Sequence, residues 1–206
     1  MIQESSKFQK IRWAILFIIA VTIAGLALLQ RRGPQKTSFP ILGTIPEFSL
    51  IAEDGTPVTA NHFMRKIVIV DFIFTHCAGT CPVMTLQMAK LQKAFAKYVD
   101  ILFVSISVDP ERDTPERLQK YAKNAGALQG RWIFLTGEKA AVHQLARKGF
   151  HLGVGEDAGS ELEPIIHSAK FVLLDRQARI RGYYDGTEDE SVQKLAKDIE
   201  NLRSEE

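Results

Sequence analysis

Two nearly unbroken runs of β-branched and aromatic residues occupy the middle of the chain: Lys66 to Phe74 (KIVIVDFIF) and Ile101 to Val108 (ILFVSISV). Runs without apolar and polar alternation are typical of strands that are covered on both faces. The segment between them carries apolar residues at helical spacing, namely Met84, Met88, Leu91 and Phe95. Because a covered strand needs helices packed against it, this order favours an α/β fold.

The other segments continue the alternation. Upstream, Phe48 to Leu50 and Val58 to Ala60 flank Asp54-Gly55, which predicts a hairpin. Downstream, the predicted elements are a helix from Thr114-Pro115 to about Asn124, a strand from Arg131 to Leu135, a helix from Glu138 to Lys148, a strand from Ala169 to Leu174, its hairpin partner from Ile180 to Tyr184, and a closing helix from Glu188 to Leu202. An irregular segment, Phe150 to Ile166, precedes the last two strands. This arrangement favours a thioredoxin-like fold.

Charge is unevenly distributed along the chain. Its 206 residues include 26 basic and 24 acidic side chains, and six of the basic ones but only one acid precede residue 44. The rest of the chain is mildly acidic and has no basic stripe. Nucleic acid is therefore not expected as a partner.

The basic N-terminus encloses seventeen uncharged residues, Trp13 to Leu29. As a helix rising ~1.5 Å per residue they would span roughly 25 Å, enough to cross a membrane when flanking arginines snorkel. A cleaved signal peptide is the alternative, because Gly25-Leu26-Ala27 resembles a small-residue cleavage site. We predict a transmembrane anchor at 13–29, a linker at 30–43 and one domain at 44–206.

The only two cysteines, Cys77 and Cys81, lie where the first buried strand gives way to a helix. Pro82 suits the first helical position, so Cys81 is predicted to be the cap residue, where free amides and the helix dipole stabilise a thiolate. A structural disulfide across so short a loop would stabilise the fold by only about 2 kcal/mol. The pair is therefore predicted to exchange electrons or to hold a soft metal.

A metal at this pair needs a further ligand. Structural zinc sites usually take four ligands, often from two cysteine pairs, and the sequence has no second pair. Cuprous copper favours thiolates and accepts fewer ligands, so two cysteines and one imidazole would suffice. The candidate imidazoles are His62, His76, His143, His151 and His167. In a thioredoxin-like sheet His167 would face the cysteine loop, but the residues alone leave the choice open.

Three motifs, in order, resemble the Sco/SenC family of copper chaperones for cytochrome oxidase assembly. They are FIFTHCAGTCP at 72–82, SVDPERDTP at 107–115, and His167-Ser168 before a strand. The resemblance covers roughly residues 44 to 202. It implies a thioredoxin-like fold with an inserted segment before the final strands. It also implies that Cys77, Cys81 and His167 bind copper and that Asp109 supports the site from close by.

Other residues near these motifs are assigned structural roles. Met84 and Met88 belong to the apolar helical stripe and are predicted to pack in the core rather than to ligate copper through their thioethers. The helix that begins at Thr114-Pro115 is predicted to be capped by Thr114 or Asp113, and Asp113 is assigned a capping role.

Two functions follow from the resemblance and the thiol pair. The first is a membrane-tethered chaperone that delivers copper to the binuclear copper centre of a respiratory oxidase subunit. The alternative is a thiol-disulfide oxidoreductase in which Cys77 attacks a partner's disulfide and Cys81 resolves the mixed disulfide. The CxxxC spacing, and Ala169-Lys170 where such enzymes place a proline, favour copper. The anchor and the family imply a single-pass protein of a bacterial inner membrane, with residues 1–12 in the cytoplasm and the domain in the periplasm.

Overall fold

A computed structural model describes residues 12–13, 15–19, 21–22, 39–152 and 168–205. The described residues near the N-terminus are helical. Within the described parts of the chain, no helix is both long enough and apolar enough to span a membrane. Most of the predicted anchor and linker, and the segment 153–167 with His167, lie outside the described residues. Phe39–Glu206 forms a compact unit of its own.

The described part of this unit is built on one mixed sheet of eight strands. The strands are β1 Gly43–Thr44, β2 Ser49–Ala52, β3 Pro57–Thr59, β4 Ile67–Ile73, β5 Ile101–Ser107, β6 Trp132–Thr136, β7 Lys170–Leu174 and β8 Arg179–Asp185. They lie in the order β1-β8-β7-β4-β5-β6-β2-β3. The neighbours β4, β5 and β6 are parallel, and the remaining pairs are antiparallel. The sequence therefore predicted the hairpins β2-β3 and β7-β8 correctly, whereas β1 was not predicted.

Four α-helices accompany this sheet from residue 39 onward in the described chain. They are α1 Thr80–Ala94, α2 Pro115–Ala125, α3 Lys139–Gln144 and α4 Asp189–Ser204. A 3-10 turn at Ala60–His62 was not predicted, and the helix predicted to end at Lys148 becomes a π-helical turn, Leu145–Gly149, after α3. The α/β class and the order of the predicted elements are confirmed.

The sheet is covered by two apolar clusters, one on each face. In β4, side chains alternate between them: Val68, Val70 and Phe72 on one face, and Ile67, Ile69 and Ile73 on the other. The first cluster includes α3 and the π-helical turn, and the second includes α1, α2 and α4. Met84 and Met88 are 1% and 0% exposed in the second cluster, as predicted. Helix α1 is thus fixed to the sheet at the end that carries Cys81.

Candidate metal centre

The loop between β4 and α1 presents the two cysteines. Cys77 lies in the loop and is half-buried, whereas Cys81 lies in the first turn of α1 and is buried. The prediction of Cys81 as the cap was wrong, because α1 begins at Thr80 and Gly79 is its N-cap. Pro82 is therefore the third helical residue rather than the first. Because the helix begins earlier than predicted, its first backbone amides lie close to Cys77, and Cys81 is already part of the helix.

The start of α1 stabilises the thiolate of Cys77. Partial burial raises the pKa of Cys77, but hydrogen bonds from the Cys81 amide and thiol, the Gly79 amide and the Thr80 side chain outweigh it, so the net pKa is lowered. Free amides at a helix N-terminus favour an anion placed against them. The expected helix effect is present, but it acts on Cys77 and not on Cys81.

Cys81 has the opposite shift. Burial, together with the neighbouring Cys77, raises the pKa of Cys81 to about 12, although an interaction with the Phe74 backbone opposes the rise. At neutral pH Cys81 is therefore a thiol that can donate to the Cys77 sulfur. Both cysteines are free. The site thus combines a half-buried cysteine whose pKa is lowered with a buried cysteine whose pKa is raised.

A buried carboxyl group lies in the strand that leads to the cysteine loop. Asp71 of β4 is fully buried, and neither carboxylate oxygen has a hydrogen bond of normal geometry among the described residues. Burial raises the pKa of Asp71 to about 7, and Ser105, its pair in β5, opposes this rise only in part. By strand alternation Asp71 shares the face of Ile69 and Ile73, which is also the face covered by Cys81. Asp71 was not predicted as a site residue, although it is the only acid within the apolar run at 66–74.

The predicted supporting residue, Asp109, follows β5. Its carboxylate lies 3.5 Å from Arg112, and its amide donates to the Ser107 hydroxyl at 3.1 Å. These contacts fix the start of the loop after β5. The role of Asp109 in supporting a copper site stays a prediction.

Asp113 is not the helix cap that the sequence suggested. Thr114 is the N-cap of α2, and its hydroxyl accepts from the Arg117 amide at 3.4 Å. The side chain of Asp113 is fully buried and points instead to Thr75, in the loop that carries the cysteines. Thr75 and Arg117 were not predicted as site residues from the sequence. Thr75 lies 38 positions from Asp113, and Arg117, although it follows Asp113 at i+4, is an exposed residue of a helix.

The described histidines do not complete a metal site. Three of them form other hydrogen bonds: His62 Nδ1 with the Thr59 amide (3.0 Å), His76 Nε2 with Arg117 (2.9 Å), and His143 Nε2 with the Val108 carbonyl (3.1 Å). Within residues 39–152 and 168–205, no three His, Cys, Asp or Glu side chains are grouped so as to hold a metal ion. The predicted third ligand, His167, lies outside the described residues, so the ligand set stays a prediction.

A family model described as SCO1/SenC matches residues 41–204. The chain belongs to the SCO1/SenC family. Its relative from Bacillus subtilis (strain 168), named SCO1 protein homolog, is 31% identical over 171 residues, which are 82% of this chain and 88% of the relative. The resemblance in the sequence is thereby confirmed.

Two solved Sco structures have a closely similar fold. BsSco, described as a member of the Sco family of cytochrome c oxidase assembly proteins with a disulfide switch, is 30% identical with a TM-score of 0.71. The match covers 84% of this chain and all of BsSco. Arabidopsis thaliana ScoI, solved with copper bound, is 28% identical with a TM-score of 0.63, covering 76% of this chain and 98% of that structure. The thioredoxin-like Sco fold is confirmed for this domain.

Proposed function

We propose that this SCO1/SenC protein is a copper chaperone that binds copper through Cys77, Cys81 and His167 and passes it to the binuclear copper centre of a respiratory oxidase subunit. The observation that carries the proposal is the position of the two cysteines at the start of α1, with Cys77 half-buried in the loop and Cys81 buried in the first helical turn. The copper-bound structure of Arabidopsis ScoI supports the metal, and the description of BsSco as an oxidase assembly protein supports the recipient.

The chemistry of the pair fits a soft metal. The lowered pKa of Cys77 favours its thiolate, which is the form that binds cuprous copper. Cys81 must lose its proton when copper binds, so binding releases a proton and weakens as pH falls. His167 supplies a neutral nitrogen as the third ligand. Because Cys77 is half-buried rather than enclosed, ligands of a recipient protein can reach the metal from the side of the loop.

Copper titration of the reduced full-length chain tests this site. With a chromophoric cuprous chelator as competitor, we expect one copper ion per chain, and at least 100-fold weaker binding in Cys77→Ser and in Cys81→Ser. His143→Ala is the matched control, because its imidazole bonds a backbone carbonyl instead, and it should bind as the wild type does. Undiminished binding by Cys81→Ser would remove the proposed site.

A second function, thiol-disulfide exchange, is favoured by the same opposite pKa shifts. The Cys77 thiolate would attack one sulfur of a partner's disulfide and release the other as a thiolate. Cys81, on losing its proton, would then attack the mixed disulfide, so that the Cys77–Cys81 disulfide forms and the partner is reduced by two electrons. The disulfide switch described for BsSco supports this alternative.

We also propose that residues 13–29 cross a bacterial inner membrane once and hold the domain in the periplasm. The uncharged run supports this proposal, and the six basic residues around it are split evenly between its two sides, so they do not decide the orientation. Alkaline phosphatase, which is active only after export, can be fused after Glu206. We expect an active fusion. An inactive fusion combined with an active cytoplasmic reporter at the same position would place the domain inside.

A further inference from the structure

A buried carboxylate joins the ends of the two central strands just before the cysteine loop. Asp113 is fully buried. Its Oδ2 accepts from the Thr75 amide at 3.0 Å and from the Ser107 hydroxyl at 2.6 Å, and its Oδ1 accepts from the Thr75 hydroxyl at 2.5 Å. Thr75 follows β4, and Ser107 is the last residue of β5. Three donors from two strand ends therefore converge on one carboxylate.

Arg117 of α2 completes this arrangement. Its Nε donates to the Thr75 hydroxyl at 2.7 Å and lies 3.7 Å from Oδ1 of Asp113. Its Nη2 forms a hydrogen bond of 2.9 Å with Nε2 of His76. The two residues immediately before Cys77 are thus held from both sides. We refer to Thr75, Ser107, Asp113 and Arg117 as the Asp113 cluster.

We infer that Asp113 is a positioning residue, which acts through Thr75 and Arg117 to hold the loop that carries Cys77 in place before the start of α1. The amide of Cys77 also donates to the Phe74 carbonyl at 3.1 Å, so a shift at Thr75 moves the whole turn. The inference rests on the proposed function, because the loop held in this way is the one that would bind copper.

The donors of the Asp113 cluster match a carboxylate, which accepts hydrogen bonds on both oxygens. The Ser107 hydroxyl accepts from the Asp109 amide at 3.1 Å, so its own proton is free to go to Asp113. The Thr75 amide is a fixed donor, and the Thr75 hydroxyl accepts from Arg117 while it donates to Asp113. A side-chain amide at position 113 has one acceptor oxygen and would turn its NH2 group toward one of these donors. Asp113→Asn is therefore expected to break at least one hydrogen bond of the Asp113 cluster.

Alkylation of Cys77 in the reduced, metal-free, full-length chain tests this inference. We expect iodoacetamide at pH 7 to react at least threefold more slowly with Cys77 in Asp113→Asn, because the loop no longer holds Cys77 in its place before α1. Thr75→Val should have the same effect while leaving the charge of Asp113 in place, and Thr75→Ser should restore the wild-type rate. Asp198→Asn is the control, since it also removes a buried carboxylate, one that bonds Tyr184 and Lys194.

The outcomes separate the alternatives. A folded Asp113→Asn that reacts at the wild-type rate would overturn the inference, and so would a faster reaction, which would mean that the Asp113 charge acts through space. If Asp113→Asn does not fold, the comparison of Thr75→Val with Thr75→Ser decides. The same variants are then titrated with cuprous copper, and we expect at least tenfold weaker binding. Slower alkylation in a protein whose wild type binds no copper would retain the positioning role and reject the proposed function.

Discussion

Cys77 lies half-buried in the loop before α1 and Cys81 lies buried in the first turn of that helix, and the pKa values of the two thiols are shifted in opposite directions. Burial and the nearby Cys77 keep the proton on Cys81, while the donors at the start of α1 favour the anion at Cys77. The start of α1 therefore makes Cys77 the more reactive sulfur and keeps Cys81 protonated. Both proposed functions use this difference.

The thiols should therefore differ in reactivity. In the reduced, metal-free protein at pH 7, we expect iodoacetamide to modify Cys77 at least tenfold faster than Cys81, because the thiolate is the nucleophile and Cys81 is both protonated and buried. Mass mapping of the two labelled positions with time measures the rates. In concentrated guanidinium the two rates should converge. Equal rates in the folded protein would contradict the arrangement described for the start of α1.

The sequence and the structure agree where the determining contacts are local. The apolar runs of β4 and β5 and the stripe at Met84 and Met88 predicted buried elements, because burial follows from residue type and spacing. Asp113 was assigned as a cap because Asp-Thr-Pro is locally a cap pattern, and Thr114 fills that role. The partner of Asp113 is Thr75, 38 positions away in sequence. Only the parallel pairing of β4 and β5 brings them together, and local pattern does not encode that contact.

The buried carboxyl of Asp71 should lower stability as pH rises. Burial raises the pKa of Asp71 from 3.8 to about 7. Between these values the unfolded chain releases a proton that the folded protein keeps, so the free energy of unfolding falls with increasing pH and levels off above about 7. We compare the free energy of unfolding of Asp71→Asn with that of the wild type at each pH. The difference should be roughly 1–4 kcal/mol more favourable to Asp71→Asn at pH 7.5 than at pH 4, since one pKa unit corresponds to about 1.4 kcal/mol. Urea unfolding at both values measures the difference.

Asp175→Asn provides a control of opposite sign. Burial raises the pKa of Asp175, but hydrogen bonds from Arg179 and Arg181 outweigh it, so the net pKa is lowered. The stability that Asp175 contributes is therefore present above its unfolded pKa and is lost as pH falls. Asp175→Asn should be less stable than the wild type at pH 7.5, with a smaller deficit at low pH.

A pH-independent effect of Asp71→Asn would show that its carboxyl does not titrate between pH 4 and pH 7.5.

The methionines of α1 should matter for packing and not for copper. Met84 and Met88 are 1% and 0% exposed and pack in the same cluster as Cys81. Met84→Leu and Met88→Leu conserve volume and are expected to cost less than about 1.5 kcal/mol, whereas Met84→Ala should cost about 2–5 kcal/mol through the cavity it leaves. Denaturant unfolding and copper titration measure the two effects. Weaker copper binding by a stable Met84→Leu would instead make its thioether a ligand.

The role of His167 separates copper delivery from thiol exchange. Exchange needs two cysteines and a stabilised thiolate, and the donors around Cys77 supply the latter without an imidazole. A three-ligand copper site, in contrast, loses one ligand in His167→Ala. We therefore expect His167→Ala to bind copper at least 100-fold more weakly while Cys77 and Cys81 still form and exchange a disulfide.

The decisive comparison of His167→Ala with Cys77→Ser is made in cells grown with scarce copper. If the protein delivers copper, both variants should fail equally in oxidase maturation, measured as oxidase activity of membranes. Added copper should rescue His167→Ala at least in part, because mass action offsets weaker binding. Full oxidase assembly by His167→Ala at low copper, together with failure of Cys77→Ser, would identify thiol exchange as the essential activity, since that reaction uses the two sulfurs and not the imidazole.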